Sequence, residues 1–419
     1  MAEIALTQRK VRTRRSVTIG ILSIAIGGVI LLMGRGTAGL TSTFVLTSQR
    51  AGITIAAPDL VLPTNFALLL LALLAVLGGA WELARGFKHE DRLVIIASVL
   101  LVSAFLVWAT RDKSLNLTGM LVSSIVRATP ICLAALSGIY SERSGVVNIG
   151  IEGMMLMGAF TSVVFASLTK SMLVGVIAGI AAGMVFGLLH ATLSIRYMIN
   201  QIISGTGIII LALGLTSYLQ RAVLNVYPDL NSPGPAIASI PIPGLWQIPV
   251  LGPVLFNLSP IIYTMFAMLI ATHVLFTNTR WGLRVRSVGE HPKAADTLGI
   301  NVFRTRYVSV LLSGAIAGLA GSYMSIGAAG RFNEGMTAGK GFLGLAAMIF
   351  GNWNPGGAFL GSLIFGFFDS WQEKLSLLQI GVPVDLLGMA PYIATMIVLA
   401  GFVGRSRMPA ADGTPYQKQ

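Results

Sequence analysis

Two glycine-rich stretches hold the residues whose types suit chemistry: SGIYSERSGVVNIGIEGMMLMGAF (137–160) and GRFNEGMTAGKGFLGLAAMIFGNW (330–353). Ionisable groups in such apolar surroundings are costly, so each needs a reason to be there. Glu142 and Arg143 are adjacent and can pair with each other or with a partner chain. Glu152 follows NIGI at the start of an apolar run. If 148–154 open a helix, its carboxylate lies in the first turn, where the dipole favours it. Glu152 and Asn148 then either cap the break or line a path through it. Asn333 and Glu334 occupy the corresponding place in the second stretch. Bond-making chemistry finds less support. GMTAGKG (335–341) lacks the spacing, and the Ser or Thr after lysine, of a phosphate-cradling loop. His89, His190, His273 and His291 lie in separate segments, so they form no metal cluster. There is no nucleophile elbow and no acid pair at sugar-cleaving spacing. The chain reads as a non-enzyme with no cofactor of its own.

A third stretch is polar and basic between long apolar flanks: RSVGEHPKAADTLGINVFRTR (286–306). Pro292 suits the first turn of a helix and Gly299 the left-handed residue just past its end. Between them Ala294, Ala295 and Leu298 fall on one face, with Lys293 and Asp296 off it. A short water-exposed helix with a small apolar face has the shape of a plug for another protein. The same pattern also fits an ordinary amphipathic loop helix.

The elements that must position these residues are membrane spans. Of 419 residues, 54% are hydrophobic and 11% charged, where soluble domains carry roughly a quarter charged. Mean hydropathy is positive. The fold class expected is an all-α polytopic membrane protein of about 10–12 transmembrane helices, with two broken or half-helix segments and a weak internal repeat. Apolar runs of about 20 residues occupy approximately 16–33, 64–84, 93–110, 119–138, 150–169, 172–194, 201–220, 258–277, 306–326, 355–371 and 388–403. The run 340–352 is too short and reads as a half-helix. The net charge of +13 concentrates in particular loops, among them Arg280, Arg284, Arg286, Lys293, Arg304 and Arg306. That marks the cytoplasmic side rather than nucleic-acid binding. The first run is read as an uncleaved signal anchor, and both termini come out cytoplasmic. Asp369 is placed at a span end. Single Cys132 excludes a disulfide framework. Residues 1–115 read as anchor and accessory helices, 116–405 as the core with a loop at about 278–305, and 406–419 as a tail. In the core, spacings such as GVIAGIAAG and SGAIAGLAG indicate closely packed helices.

Gly289-Glu290-x-Pro292-Lys293-Ala294-Ala295 followed by Gly299-Ile300 resembles the coupling loop of ABC importer permeases of the ribose and branched-chain amino-acid type. SERSGVVNIGIEG (141–153) and FGNWNPGG (350–357) narrow the resemblance to the nucleoside importers served by basic-membrane-protein-type lipoproteins. It covers about residues 118–405; residues 1–115 are longer than the leader associated with that family. The resemblance implies a bundle of about ten core helices in the bacterial cytoplasmic (inner) membrane, paired with a paralogous permease subunit. ATP-binding subunits beneath would use ATP and Mg, and a substrate-binding lipoprotein would deliver cargo. Gly289, Glu290, Pro292, Lys293, Ala294, Ala295, Leu298 and Gly299 would then dock the ATPase. A nucleoside wants aromatic stacking plus amides or carboxylates in an apolar cavity. Tyr140, Glu142, Asn148, Glu152, Phe332 and Asn333 are the path candidates of those types. Alternatives are a permease for simple sugars or branched-chain amino acids, and an ion-coupled secondary transporter using Glu152, which leaves the docking loop unexplained.

Overall fold

The computed structural model describes residues 14–50, 53–87, 90–235, 237–389, 392–393 and 407–418. Apolar runs become helices because a helix satisfies its own backbone groups where no water can. In chain order they are α1 (Arg14–Met33), α2 (Thr64–Ala84), α3 (Glu90–Ala109), α4 (Leu117–Glu142), α5 (Ile151–Thr169), α6 (Met172–Ala191), α7 (Gln201–Leu219), α8 (Leu251–Leu255) and α9 (Pro260–Asn278). Then follow α10 (Arg280–Glu290), α11 (Pro292–Thr297), α12 (Val302–Ser322), α13 (Lys340–Phe350), α14 (Pro355–Leu377) and α15 (Val384–Gly388). Among the described residues, 9 helices are long and apolar enough to cross a membrane. α14 matches them in length, with 23 residues. Most of the span expected over 388–403, with Arg405 and the basic residues Arg9, Lys10 and Arg12, lies outside the described residues.

The two glycine-rich stretches differ in kind. At 143–150 the chain turns between α4, with 26 residues, and α5, with 19. Both flanks are long enough to span, so the first stretch is a loop between full helices and not a half-helix. At the second stretch α12, continued by wider turns to Ala329, gives way to α13, whose 11 residues cover only half a bilayer.

Small residues set the helix spacing in the core. α6 presents Gly175, Gly179, Gly183 and Gly187, each four residues apart, to α5 and α12. A Cβ added at Gly183 would lie 2.7 Å from Gly318 N, and one at Gly158 2.7 Å from Gly318 Cα. Only glycine lets these backbones meet.

α1, α2 and α3 pack together beside the core. Strand Thr41–Val45 pairs antiparallel with Leu60–Pro63 and parallel with Lys113–Asn116, a small sheet that the apolar periodicity does not announce. This unit meets the core through Phe105 on Trp371, with ring centroids 5.1 Å apart, and through Thr118 Oγ1 donating to Leu46 O at 2.8 Å.

Candidate functional site

The polar loop after α9 is a built element. Thr279 caps α10 by accepting from Gly282 N, His291 Nδ1 accepts from Ala294 N at 3.1 Å to open α11, and Asn301 accepts from Arg304 N at 2.9 Å to open α12. Pro292 stands in the first turn of α11 and Gly299 takes φ +80° past its end, both as expected. The expected common face of Ala294, Ala295 and Leu298 is divided. Ala294 and Leu298 point out with Lys293, Leu298 being 81% exposed. Ala295 is buried among Val288, Val302 and Tyr416, because α11 is short and one side must rest on α10 and α12. Gly289 is buried as well, its backbone against Arg143 O and Gly145 N. Neither is available for docking; Glu290 is exposed and accepts from Ala410 N at 3.4 Å.

The loop 143–150 lies directly against this element. Glu142 and Arg143 do not pair with each other. Trp353 Nε1 donates to Glu142 Oε2 at 2.7 Å, and Arg143 Nε and Nη2 donate to Trp353 O at 3.1 and 3.0 Å. Burial pulls the Arg143 guanidinium below its ordinary pKa, with Glu290 acting to raise it. Arg306, only 1% exposed, donates to Ser144 O at 3.2 Å and to Thr414 O at 3.0 Å.

That last bond shows that the tail, set apart in sequence only as 406–419, is a docked component. The tail 407–418 is inserted between α10–α12 and the loop 143–150. Ala411 N donates to Gly289 O at 2.8 Å, and Tyr416 Oη donates to Asp296 Oδ2 at 2.8 Å. Asp412 is buried beside Glu142 and Arg306. Burial pushes its carboxyl up to about 7, while Gly413 N–H, Arg306 and Glu142 pull the other way. In sequence, the only signal was a tyrosine and an aspartate in an otherwise bland tail.

The path candidates do not gather around one cavity. Tyr140 is packed edge-on to Phe276 at 5.2 Å and accepts from Thr272 Oγ1 at 3.3 Å. Phe332 is fully buried edge-on to Phe160 at 5.3 Å, its backbone bracketed by the Asn231 amide. Both rings are occupied by internal packing, so neither offers a stacking face. Asn148 is buried, its Nδ2 donating to Ser313 Oγ at 3.0 Å while its Oδ1 has no partner. Asn333 is exposed in the stretch before α13. Glu152 sits in the first turn of α5 and caps another helix. Its carboxylate accepts from Gly339 N at 2.8 Å and Gly341 N at 2.6 Å, at the N-terminus of α13. A carboxylate against a helix N-terminus is favourable to the dipole. Each oxygen accepts one of these N–H groups, so Glu152 ties the first turn of α5 to the start of the half-helix.

The comparisons agree with this architecture. The model of the family described as branched-chain amino acid transport system / permease component matches residues 120–402. The guanosine ABC transporter permease protein NupQ of Bacillus subtilis (strain 168) is 42% identical over 316 residues, 71% of this chain and 95% of the relative. The nucleoside ABC transporter permease protein NupC of Lactococcus lactis subsp. cremoris (strain MG1363) is 39% identical, covering 71% of this chain and 96% of the relative. A second guanosine permease protein of the same Bacillus, NupP, is 26% identical over 67% of this chain and 81% of its own length. No solved structure matches. With the match extending from the start of α4 to beyond α15, and the relatives aligned over nearly their whole length, the chain belongs to the family of permease components of branched-chain amino acid transport systems, and it is a multi-pass membrane protein.

Proposed function

We propose that this chain is the transmembrane subunit of an ATP-driven importer of nucleosides. It pairs with a second, related permease, rests on ATP-binding subunits at the α10–α12 end and receives cargo from a binding lipoprotein at the other. The observation that carries the reading is the mounting of α11. Its outward residues Lys293, Ala294 and Leu298 are exposed, while behind them Ala295 packs on Val288 and Val302, and Gly289 and Arg306 hold the neighbouring helices to the loop 143–150. A displacement of α11 by an ATPase would pass through Gly289 to that loop. From there Glu152 would carry it to the N-terminus of α13. The basic residues Arg280, Arg284, Lys293, Arg304 and Arg407 at this end support a cytoplasmic placement. The relatives named for guanosine and nucleosides support the cargo class, and the two Bacillus guanosine permeases support a paralogous pairing. ATP and Mg belong to the partner subunits in this reading.

The test is uptake by the complete complex in proteoliposomes, with guanosine, glucose and leucine compared. ATP-dependent guanosine uptake supports the reading. Import of glucose or leucine without guanosine overturns the cargo, and ATP hydrolysis by this chain alone overturns the division of labour.

A further inference from the structure

α13 is a half-helix, and where it stops it leaves charge uncovered. On the α11 side of the bundle it fills the space between α4 and α14. Gly344 rests on Ala134 and Ala135, Met348 on Gly138, and Ala347 on Gly361. Its first residue is Lys340. Past that point α4 and α14 meet directly, Ser370 Oγ donating to Met120 O at 2.9 Å, and their inner faces carry ions. Lys340 Nζ lies 2.7 Å from Asp369 Oδ2, Asp369 Oδ1 lies 3.2 Å from Arg127 Nη1, and Arg127 Nη2 lies 2.8 Å from Glu373 Oε2. The chain of charges is Lys340, Asp369, Arg127, Glu373, alternating in sign and neutral in sum. Asp369 lies inside α14 and not at a span end as expected.

Depth makes this chain of ions informative. At 1.5 Å per residue, Arg127 is roughly 15 Å along α4 from Leu117, and Asp369 roughly 12 Å along α14 from Leu377. Both lie well within a hydrocarbon core about 30 Å thick. Yet Arg127, Asp369 and Lys340 remain 33%, 23% and 22% exposed, and Glu373, one turn nearer the end of α14 at roughly 6 Å from Leu377, is 43% exposed. Partly exposed charges at that depth do not face lipid; they face water or other polar groups in a pathway. Interrupted helices at mid-depth border such pathways, because their freed backbone groups need the same surroundings.

We infer that Lys340, Asp369, Arg127 and Glu373 form the cargo-contacting layer of the pathway, a step above the N-terminus of α13 that takes an uncharged, hydroxyl-rich solute. The inference rests on the nucleoside-importer reading and adds a location and a chemistry to it. Carboxylates accept from sugar hydroxyls and base amino groups, and the cations donate to base carbonyl oxygens. A layer of zero net charge has no excess cation to hold a phosphate, so a nucleoside fits where its monophosphate does not. Lys340 lies between the two glycines whose N–H groups Glu152 holds. Movement of the loop 143–150 would therefore shift Lys340 against Asp369 and alter the layer during the cycle.

The complex with its ATPase subunits, partner permease and binding lipoprotein tests this with two variants. Glu373→Cys is expected to react with a membrane-impermeant thiol reagent, Cys132 being fully buried. The rate should fall at least threefold when guanosine-loaded lipoprotein and ATP are supplied. Asp369→Asn is expected to lower guanosine uptake at least tenfold in assembled complexes, with Asp369→Glu recovering part of it. No reaction at position 373 in the assembled complex means that a partner helix covers the layer, and the inference falls. Full guanosine uptake by Asp369→Asn also overturns it. If the wild-type complex imports glucose and not guanosine, while glucose protects position 373, the layer stands and the nucleoside assignment fails.

Discussion

At the scale of single residues, Ala295 on α11 and Leu298 just past its end separate docking from folding. Leu298 is 81% exposed and Ala295 is 3% exposed. Leu298→Asp is expected to leave the permease folded and to weaken its association with the ATP-binding subunits, measured by co-purification and ATP-driven uptake. Ala295→Arg forces a charge and extra volume against Val288, Val302 and Tyr416. It is expected to destabilise the loop by about 2–4 kcal/mol, read as a lower melting temperature in detergent before any partner is added. Glu152 makes a different prediction. Glu152→Ala leaves the Gly339 and Gly341 N–H groups without their acceptor and is expected to cost about 2–3 kcal/mol of stability. Glu152→Gln keeps one accepting oxygen and should cost less. Equal melting temperatures for the alanine variant and the wild type would show that water replaces the clamp.

At the scale of elements, the α6–α12 seam explains why glycine is so dense in the core. The four-residue glycine spacing along α6 was legible because it is a property of one helix. Which helices share the seam was not, since α6 and α12 are separated by α7 to α11. Gly183→Leu has no room, the added atoms meeting the backbone of Gly314 and Gly318. It is expected to destabilise by about 2 kcal/mol or more, seen as a lost monodisperse peak or a lowered melting temperature in detergent. Gly207→Leu, on the neighbouring α7 with open space around it, is the control and should be nearly silent.

At the scale of the whole molecule, the tail ties the loop after α4 to α10, α11 and α12, Ala411 bonding Gly289, Tyr416 bonding Asp296 and Thr414 accepting from Arg306. The Asp412 carboxyl, pushed up from 3.8 to about 7, holds its proton more tightly docked than free. Docking is therefore strongest below pH 4, weakens progressively above it and loses this contribution as pH rises through about 7. The groups that face Asp412 are Arg306, Glu142 and the Gly413 N–H. Hydrogen exchange or proteolysis across 407–418 is expected to be faster at pH 8.5 than at pH 5.5, and Asp412→Asn should remove most of the difference. A pH-independent wild-type tail would mean that Arg306 keeps the carboxylate ionised throughout.

The sequence by itself determined the spans, the half-helix, the small-residue stripes and the start and stop of α11. Each of these is encoded locally, in hydropathy over about 20 residues, in a four-residue spacing, or in a proline and a glycine at fixed offsets. Only the tertiary structure decided what the polar residues are for. Glu152 meets Gly341 across 189 positions, Arg127 meets Glu373 across 246, and Arg143 meets Trp353 across 210. No periodicity carries such pairings, because they depend on which helices pack side by side. The same packing turned Ala295 inward, buried the rings of Tyr140 and Phe332, and left the charges beyond the N-terminus of α13 paired but partly exposed.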